Sequence, residues 1–156
     1  MLRDKLSRTF KTLNFSIKMI QELMIINDAG IALFYHNFIS NNQLDDQQSL
    51  AGYFDIICRF TRSNFKESLR MLTLDSYIFF FYTHRSNYYL VFKCINKEID
   101  SVLLEEIAEC IIDNFLTRYH NLLKDFNGEI SLFKSFSESV EHIVSTKLKD
   151  AISIEH

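Results

Sequence analysis

The chain has 156 residues, a net charge of −3 and a pI near 5.9, with 47% hydrophobic and 24% charged residues. That is enough for one domain with one sizeable core, and it excludes a disordered polar chain and a uniformly basic nucleic-acid binder. Aromatic residues make up 14%, from 15 Phe and 7 Tyr, and the lack of Pro beside only three Gly points to short connections and no Pro-rich linker.

Charge is unevenly spread. Residues 1–18 carry Arg3, Lys5, Arg8, Lys11 and Lys18 against Asp4 alone, a basic segment on an acidic body. Leu2, Leu6, Phe10 and Leu13 recur there at helical spacing, which predicts an amphipathic helix over 2–13. Such a helix suits an anionic membrane surface, its apolar side dipping in while the cations meet head groups. Equally, its stripe can pack on the domain or on a partner protein. Residues 1–20 lack the apolar central run of a secretory leader. The longest apolar run, Tyr77 to Tyr82, falls far short of the ~20 residues that cross a bilayer. Cys58, Cys94 and Cys110 are odd in number and form no C-x-x-C pair, as expected of reduced thiols in a cytoplasmic protein.

Residues 20–27 and 31–39 read as strands joined by a tight turn at Asp28-Ala29-Gly30, with Gly30 free to take a positive φ. Asn41-Asn42-Gln43 is a polar break. Asp45 or Asp46 is placed to cap a helix over 45–64, whose Leu50, Tyr53, Phe54 and Ile57 form its buried stripe. Strands follow over about 68–75, 76–83 and 88–95, the last two joined by Arg85-Ser86-Asn87. A long helix runs from Asp100 or Ser101 to about Asp125, with Leu104, Ala108, Ile111, Phe115, Tyr119 and Leu122 inward, and Asn127-Gly128 stops it. A last helix over 130–149 turns Phe133, Phe136, Val140 and Ile143 to one side. The organisation is a segment at 1–18, a domain at 19–150 and a tail at 151–156.

Segments 22–27, 77–82 and 88–92 are apolar at successive positions. Successive strand side chains point to opposite faces, so both faces of the sheet need cover. The fold class is therefore α+β: a three-layer α-β-α sandwich with a five-stranded antiparallel sheet. The 45–64 helix covers one face and the two C-terminal helices the other. The 68–75 strand is a candidate sheet edge, because Arg70, Thr73 and Asp75 make it more polar than its neighbours.

This order of elements resembles the longin, or SNARE-like, domain over about residues 19–148. The resemblance is carried by the opening hairpin ELMIINDAGIALFYHNF, the helix after a polar break, and the long penultimate helix ending in Tyr119, Leu122 and Phe126 before Gly128. The roadblock fold is the related alternative. It also begins with a helix, but usually ends with one helix where two are read here. The longin resemblance implies a longin/profilin-like binding platform without shared catalytic residues or cofactor. It implies an adaptor or subunit of a small-GTPase regulatory or membrane-trafficking complex. Its partner would be a small GTPase or another longin or roadblock chain, engaged through a sheet edge or the exposed side of the first helix, as a homo- or heterodimer. Only residues 149–156 follow the domain, too few for a SNARE heptad helix, so a fusion role is not expected.

The residues offer little chemistry. Gly30, Gly52 and Gly128 stand alone and form no phosphate-binding loop. The five histidines include no i, i+4 pair of the zinc-binding kind. No nucleophile sits in a G-x-S-x-G context. Asp45-Asp46 and Glu105-Glu106 read as a helix cap and a solvated face. From another class, a small-molecule sensor of PAS or GAF kind shares a five-stranded antiparallel sheet. It requires a cavity, which the continuous Phe and Tyr runs argue against.

Overall fold

The computed structural model describes residues 2–4, 20–40, 46–97 and 99–154. Strands β1 (Ile20–Ile26) and β2 (Ala32–Asn37) form a hairpin, and helix α1 (Gln47–Phe65) follows. Then come β3 (Met71–Thr73), β4 (Tyr77–Thr83) and β5 (Tyr89–Ile95). The chain closes with α2 (Ser101–Arg118), a short α3 (His120–Lys124), a 3-10 helix (Ile130–Phe136) and α4 (Ser137–Ile154). The five strands form one sheet in the order β2-β1-β5-β4-β3, with every neighbour antiparallel.

Both faces of the sheet are covered, and the three consecutive phenylalanines of β4 divide between them. Phe79 and Phe81 turn to α1, where the Phe54 ring lies 5.0 and 5.2 Å from theirs. Phe80 turns the other way and joins Phe92 in the core beneath α2, the 3-10 helix and α4. That second core is a cluster of rings. Phe115 lies 5.3 Å from Phe133 and 5.2 Å from Phe136, Phe34 lies 5.4 Å from Phe136, and Tyr119 meets Phe133 edge-on at 5.0 Å.

The turns are built by their own residues. Asn27 Oδ1 accepts from the N–H groups of Ala29 and Ile31 at 3.0 and 2.9 Å, while Gly30 takes φ +77°. A Cβ at Gly30 would lie 3.1 Å from an Asp55 carboxylate oxygen, so α1 packs close over this turn. Asp100 caps α2, its Oδ1 accepting from Leu103 N at 3.1 Å. Gly128 takes φ +96° after α3.

Several expectations need correction or limits. The strand expected over 68–75 is only three residues long, leaving Arg70 and Asp75 outside it. The α2 helix ends at Arg118, because Tyr119 (φ −106°, ψ 19°) turns its ring into the aromatic core and its hydroxyl onto Ser135 at 3.0 Å. Leu122, beyond the break, is exposed. The last helix opens as 3-10: Phe133 and Phe136 are three apart and face one way at three residues per turn, whereas Val140, Val144 and Leu148 keep the spacing of four of α4. That helix runs on to Ile154, into the expected tail. Asp46 stands at the start of α1 without a side-chain cap bond. Of the expected helix over 2–13 only residues 2–4 are described, helical and exposed. Lys5, Arg8, Lys11, Lys18, the Asn41-Gln43 break and Asp45 lie outside the described residues.

Two consequences are measurable. Phe80→Ala removes a ring that is 2% exposed and should cost about 3–5 kcal/mol of stability in urea unfolding. Burial raises the Cys58 thiol to about 11 and the Cys94 thiol to about 12. Both thiols therefore stay protonated in the folded chain where the unfolded chain loses their protons. The sign follows: stability they contribute is complete below pH ~8.5 and is lost as pH rises towards 11–12. Thiol titration at pH 8 should label Cys110 in the native chain, and Cys58 and Cys94 only after denaturant is added.

Candidate protein-interaction surface

The two sheet edges differ in how they are closed. On β2, Gln48 grips the backbone of Ala32, accepting from its N–H at 2.9 Å and donating to its carbonyl at 3.0 Å. Farther along, His36 Nε2 meets Glu141 of α4 at 2.6 Å, and the 3-10 helix packs alongside. Side chains thus blunt this edge. The opposite edge, β3, has Met71 and Thr73 exposed. Its turn into β4 is fastened by Asn96, whose side chain donates to the carbonyls of Leu74 and Asp75 at 2.8 and 3.2 Å.

The residues singled out from the sequence lie along this open edge, with different duties. Thr73 is in the strand, opposite Ile78. Asp75 sits in the turn, its carbonyl held by Asn96. Arg70 precedes the strand; its carbonyl accepts from Phe81 N at 2.9 Å and its guanidinium meets Glu105 at 3.2 Å. Both side chains of that ion pair are at least half exposed, so it contributes little to stability. Of the basic set, Arg3 is exposed in the described helical residues.

Between the start of β3 and the end of β4 lies a cleft of about 210 Å³, lined by Ser68, Leu69, Arg70, Tyr82 and Glu105 among others. Small-molecule sites run to roughly 300–1,000 Å³ and are mostly apolar. This cleft is smaller and half polar, a poor fit to the sensor reading. Among the described residues no group of three or more His, Cys, Asp or Glu is arranged to hold a metal ion, and no helix is long and apolar enough to cross a membrane.

The largest departure from the sequence reading lies on α1. Its inward stripe is Ala51, Phe54, Asp55 and Cys58, not Leu50, Tyr53, Phe54 and Ile57. Leu50 is partly buried and Ile57 half-buried. Tyr53 faces out at 53% exposure, and Ile56 and Phe60 join it at 67% and 58%. These three stand at i, i+3 and i+7, a second apolar stripe along the solvent side of one helix. Phe65, in the last turn, is also exposed and meets Phe60 edge-on at 6.2 Å. The 53/56/60 spacing was present in the sequence, but one helix offered two apolar stripes and Phe54 drew attention to one.

This facing sets Phe54 against Phe79 and Phe81, and an ion pair lies beside it. Asp55 is 8% exposed, and Arg59 Nε donates to both of its carboxylate oxygens at 2.9 and 3.0 Å. The Arg59 guanidinium also donates to the Asp28 carbonyl in the hairpin turn. With Asp55 turned inward beside the turn, Tyr53 and Ile56 lie on the outward side of the helix. Arg62 and Lys66 are exposed, so the end of the helix is basic while its outer face is apolar. Lower on the same face of the sheet, Glu22 accepts from the Tyr35 hydroxyl and lies 2.9 Å from Lys93, which rests over the Tyr77 ring at 4.2 Å. Burial, then Glu22 itself, raises the Tyr35 hydroxyl above its ordinary range and keeps it a donor.

An exposed apolar stripe outside the core clusters of the described residues should be cheap to remove. Tyr53→Ser, Ile56→Ser and Phe60→Ser should each change folding stability by no more than about 0.5 kcal/mol. Phe54→Ala, one position from Tyr53, should cost about 3–5 kcal/mol. Urea unfolding of the four variants separates surface from core.

The family model described as the first longin domain of INTU, CCZ1 and HPS4 matches residues 27–128, most of the sheet together with α1, α2 and α3. No curated protein sequence matches the chain. Among solved structures, a roadblock/LC7 domain from Streptomyces avermitilis superposes with a TM-score of 0.52 at 17% identity, covering 65% of this chain and 85% of that one. The gliding protein mglB from Thermus thermophilus gives a TM-score of 0.47 at 12% identity, over 64% of this chain and 81% of that one. The first of these shows a shared fold.

Proposed function

The chain belongs to the longin family represented by the first longin domain of INTU, CCZ1 and HPS4, and on that premise we propose that it is a non-catalytic adaptor that binds another protein through the outer face of α1. The observation that carries this reading is the stripe of Tyr53, Ile56 and Phe60, more than half exposed on a helix that already buries its other side. Apolar area removed from water is worth about 25 cal/mol per Å², so aromatic and branched side chains grouped on one helix form a ready anchor. The open β3 edge, with Arg70, Thr73 and Asp75, offers a second contact by strand pairing.

The partner class follows from the longin resemblance: a small GTPase, or a second longin or roadblock chain, in a cytoplasmic regulatory or trafficking-type complex. The basic residues Arg3, Lys5, Arg8, Lys11 and Lys18 add a contact to that partner or to anionic head groups. Liposome co-sedimentation with residues 1–16 deleted reads the membrane arm; unchanged binding removes it.

The main test uses purified small GTPases, in their GDP and GTP-analogue states, and longin-domain chains from the same organism. Isothermal titration should find at least one binder. The double variant Ile56→Asp with Phe60→Asp should weaken that binding at least tenfold while unfolding like the parent. Failure of the whole panel to bind, or binding indifferent to the double variant, overturns the reading.

A further inference from the structure

We propose that Ser135 is a phosphorylation site and that Arg118, at the end of α2, receives its phosphoryl group. The site belongs to the helical layer, on the other side of the sheet from α1, and is independent of any role of the α1 face.

Arg118 is exposed and spreads its guanidinium over two hydroxyls. One Nη donates to Ser139 Oγ at 3.0 Å and the other to Ser135 Oγ at 3.3 Å. The Tyr119 hydroxyl meets the same Ser135 Oγ at 3.0 Å, and the guanidinium stands over the Tyr119 ring at 5.2 Å. Among the described residues no carboxylate pairs with Arg118. A cation in the last turn of α2 suits the helix dipole, but the dipole asks only for a charge. A fork spread over two hydroxyls, with a third hydroxyl beside it, is a set of donors suited to a group with several oxygens. Phosphate is such a group, and a guanidinium matches it with two parallel N–H bonds.

Of the two serines, Ser135 is exposed and Ser139 half-buried, so Ser135 is the acceptor and Ser139 a donor to the product. Glu138 and Glu141, three and six residues on, are both exposed. The enzyme is therefore a protein kinase that reads carboxylates after the serine. Ser135 Oγ attacks the γ-phosphorus of ATP. The new O–P bond forms as the bond to the β-phosphate oxygen breaks, ADP leaves, and the hydroxyl proton passes to the kinase's base. The product carries about −1.5 to −2 charges at pH 7. Its oxygens accept from both Nη groups of Arg118 and from the hydroxyls of Tyr119 and Ser139. A link between α2 and the 3-10 helix that rests on neutral hydroxyls becomes a charged one, and the helical layer is tied more tightly.

The full chain with phosphoserine encoded at position 135 should melt about 3–6 °C above the unmodified chain. In phosphorus NMR its second ionisation should fall about half a unit or more below the ~6 of free phosphoserine. The sign follows: the added stability is present above pH ~6 and is lost as pH falls through the lowered value. Arg118→Gln should abolish both effects, which a merely structural loss would not do to the ionisation. Phosphoserine at position 131, where the hydroxyl's neighbour is the Glu129 carboxylate at 3.1 Å, should bring no gain. Incubated with ATP and an extract of its own cells, the chain should take phosphate on Ser135, and Ser135→Ala should lose most of the label while Ser139→Ala keeps it. Failure of phosphoserine 135 to raise the melting point, effects that persist in Arg118→Gln, no phosphate taken up, or phosphate only at another residue overturns the proposal.

Discussion

Side chains leave a β-strand alternately on its two sides, and in β4 and β5 almost every one of them is apolar. From Phe79 to Phe81 and from Tyr89 to Phe92 no position can face water without cost. A sheet made of such strands needs a layer on each side, and the remaining architecture is the answer to that need. Helix α1 closes one side. The other is closed by α2, the 3-10 helix and α4, which place Phe115, Phe133 and Phe136 against Phe34 and Leu90.

The two layers are unequal among the described residues. Three helical elements share the larger side, so their apolar faces are largely used up against the sheet and one another. Among the described residues one helix, α1, covers the smaller side, and its back faces outward. On α1 that back is not polar, as an ordinary surface helix would have it. It carries Tyr53, Ile56 and Phe60. The binding surface proposed on this face needs no cavity and no titrating group.

The orientation of α1 depends on few atoms. Asp55 and Arg59, one turn apart, clasp each other and the Asp28 carbonyl, and Gly30 leaves the space that Asp55 occupies. The clasp ties the hairpin turn to the helix, on the side opposite the outward stripe. At β2, Gln48 holds the Ala32 backbone and Glu141 meets the His36 side chain, so among the described residues β3 is the more open edge.

Much of this was legible residue by residue. Alternation in β4 and β5, Gly30 in its turn and Asp100 at its cap are local features, set by neighbours within a few positions, and each stands where its chemistry placed it. The lengths of β3 and α2 were less legible, since Tyr119 leaves its helix to reach Ser135 and Phe133 from farther along the chain. Least legible was the facing of α1. Leu50, Tyr53, Phe54, Ile56, Ile57 and Phe60 fall within one arc of about 160° at 3.6 residues per turn, wider than one buried stripe, and periodicity alone cannot say which part of it turns inward. The choice was made by groups distant in sequence: a buried carboxylate against a hairpin turn, and two β4 rings that accept only Phe54 between them. Local patterns specify elements because backbone geometry is local, whereas the surface left for a partner is whatever long-range packing does not consume.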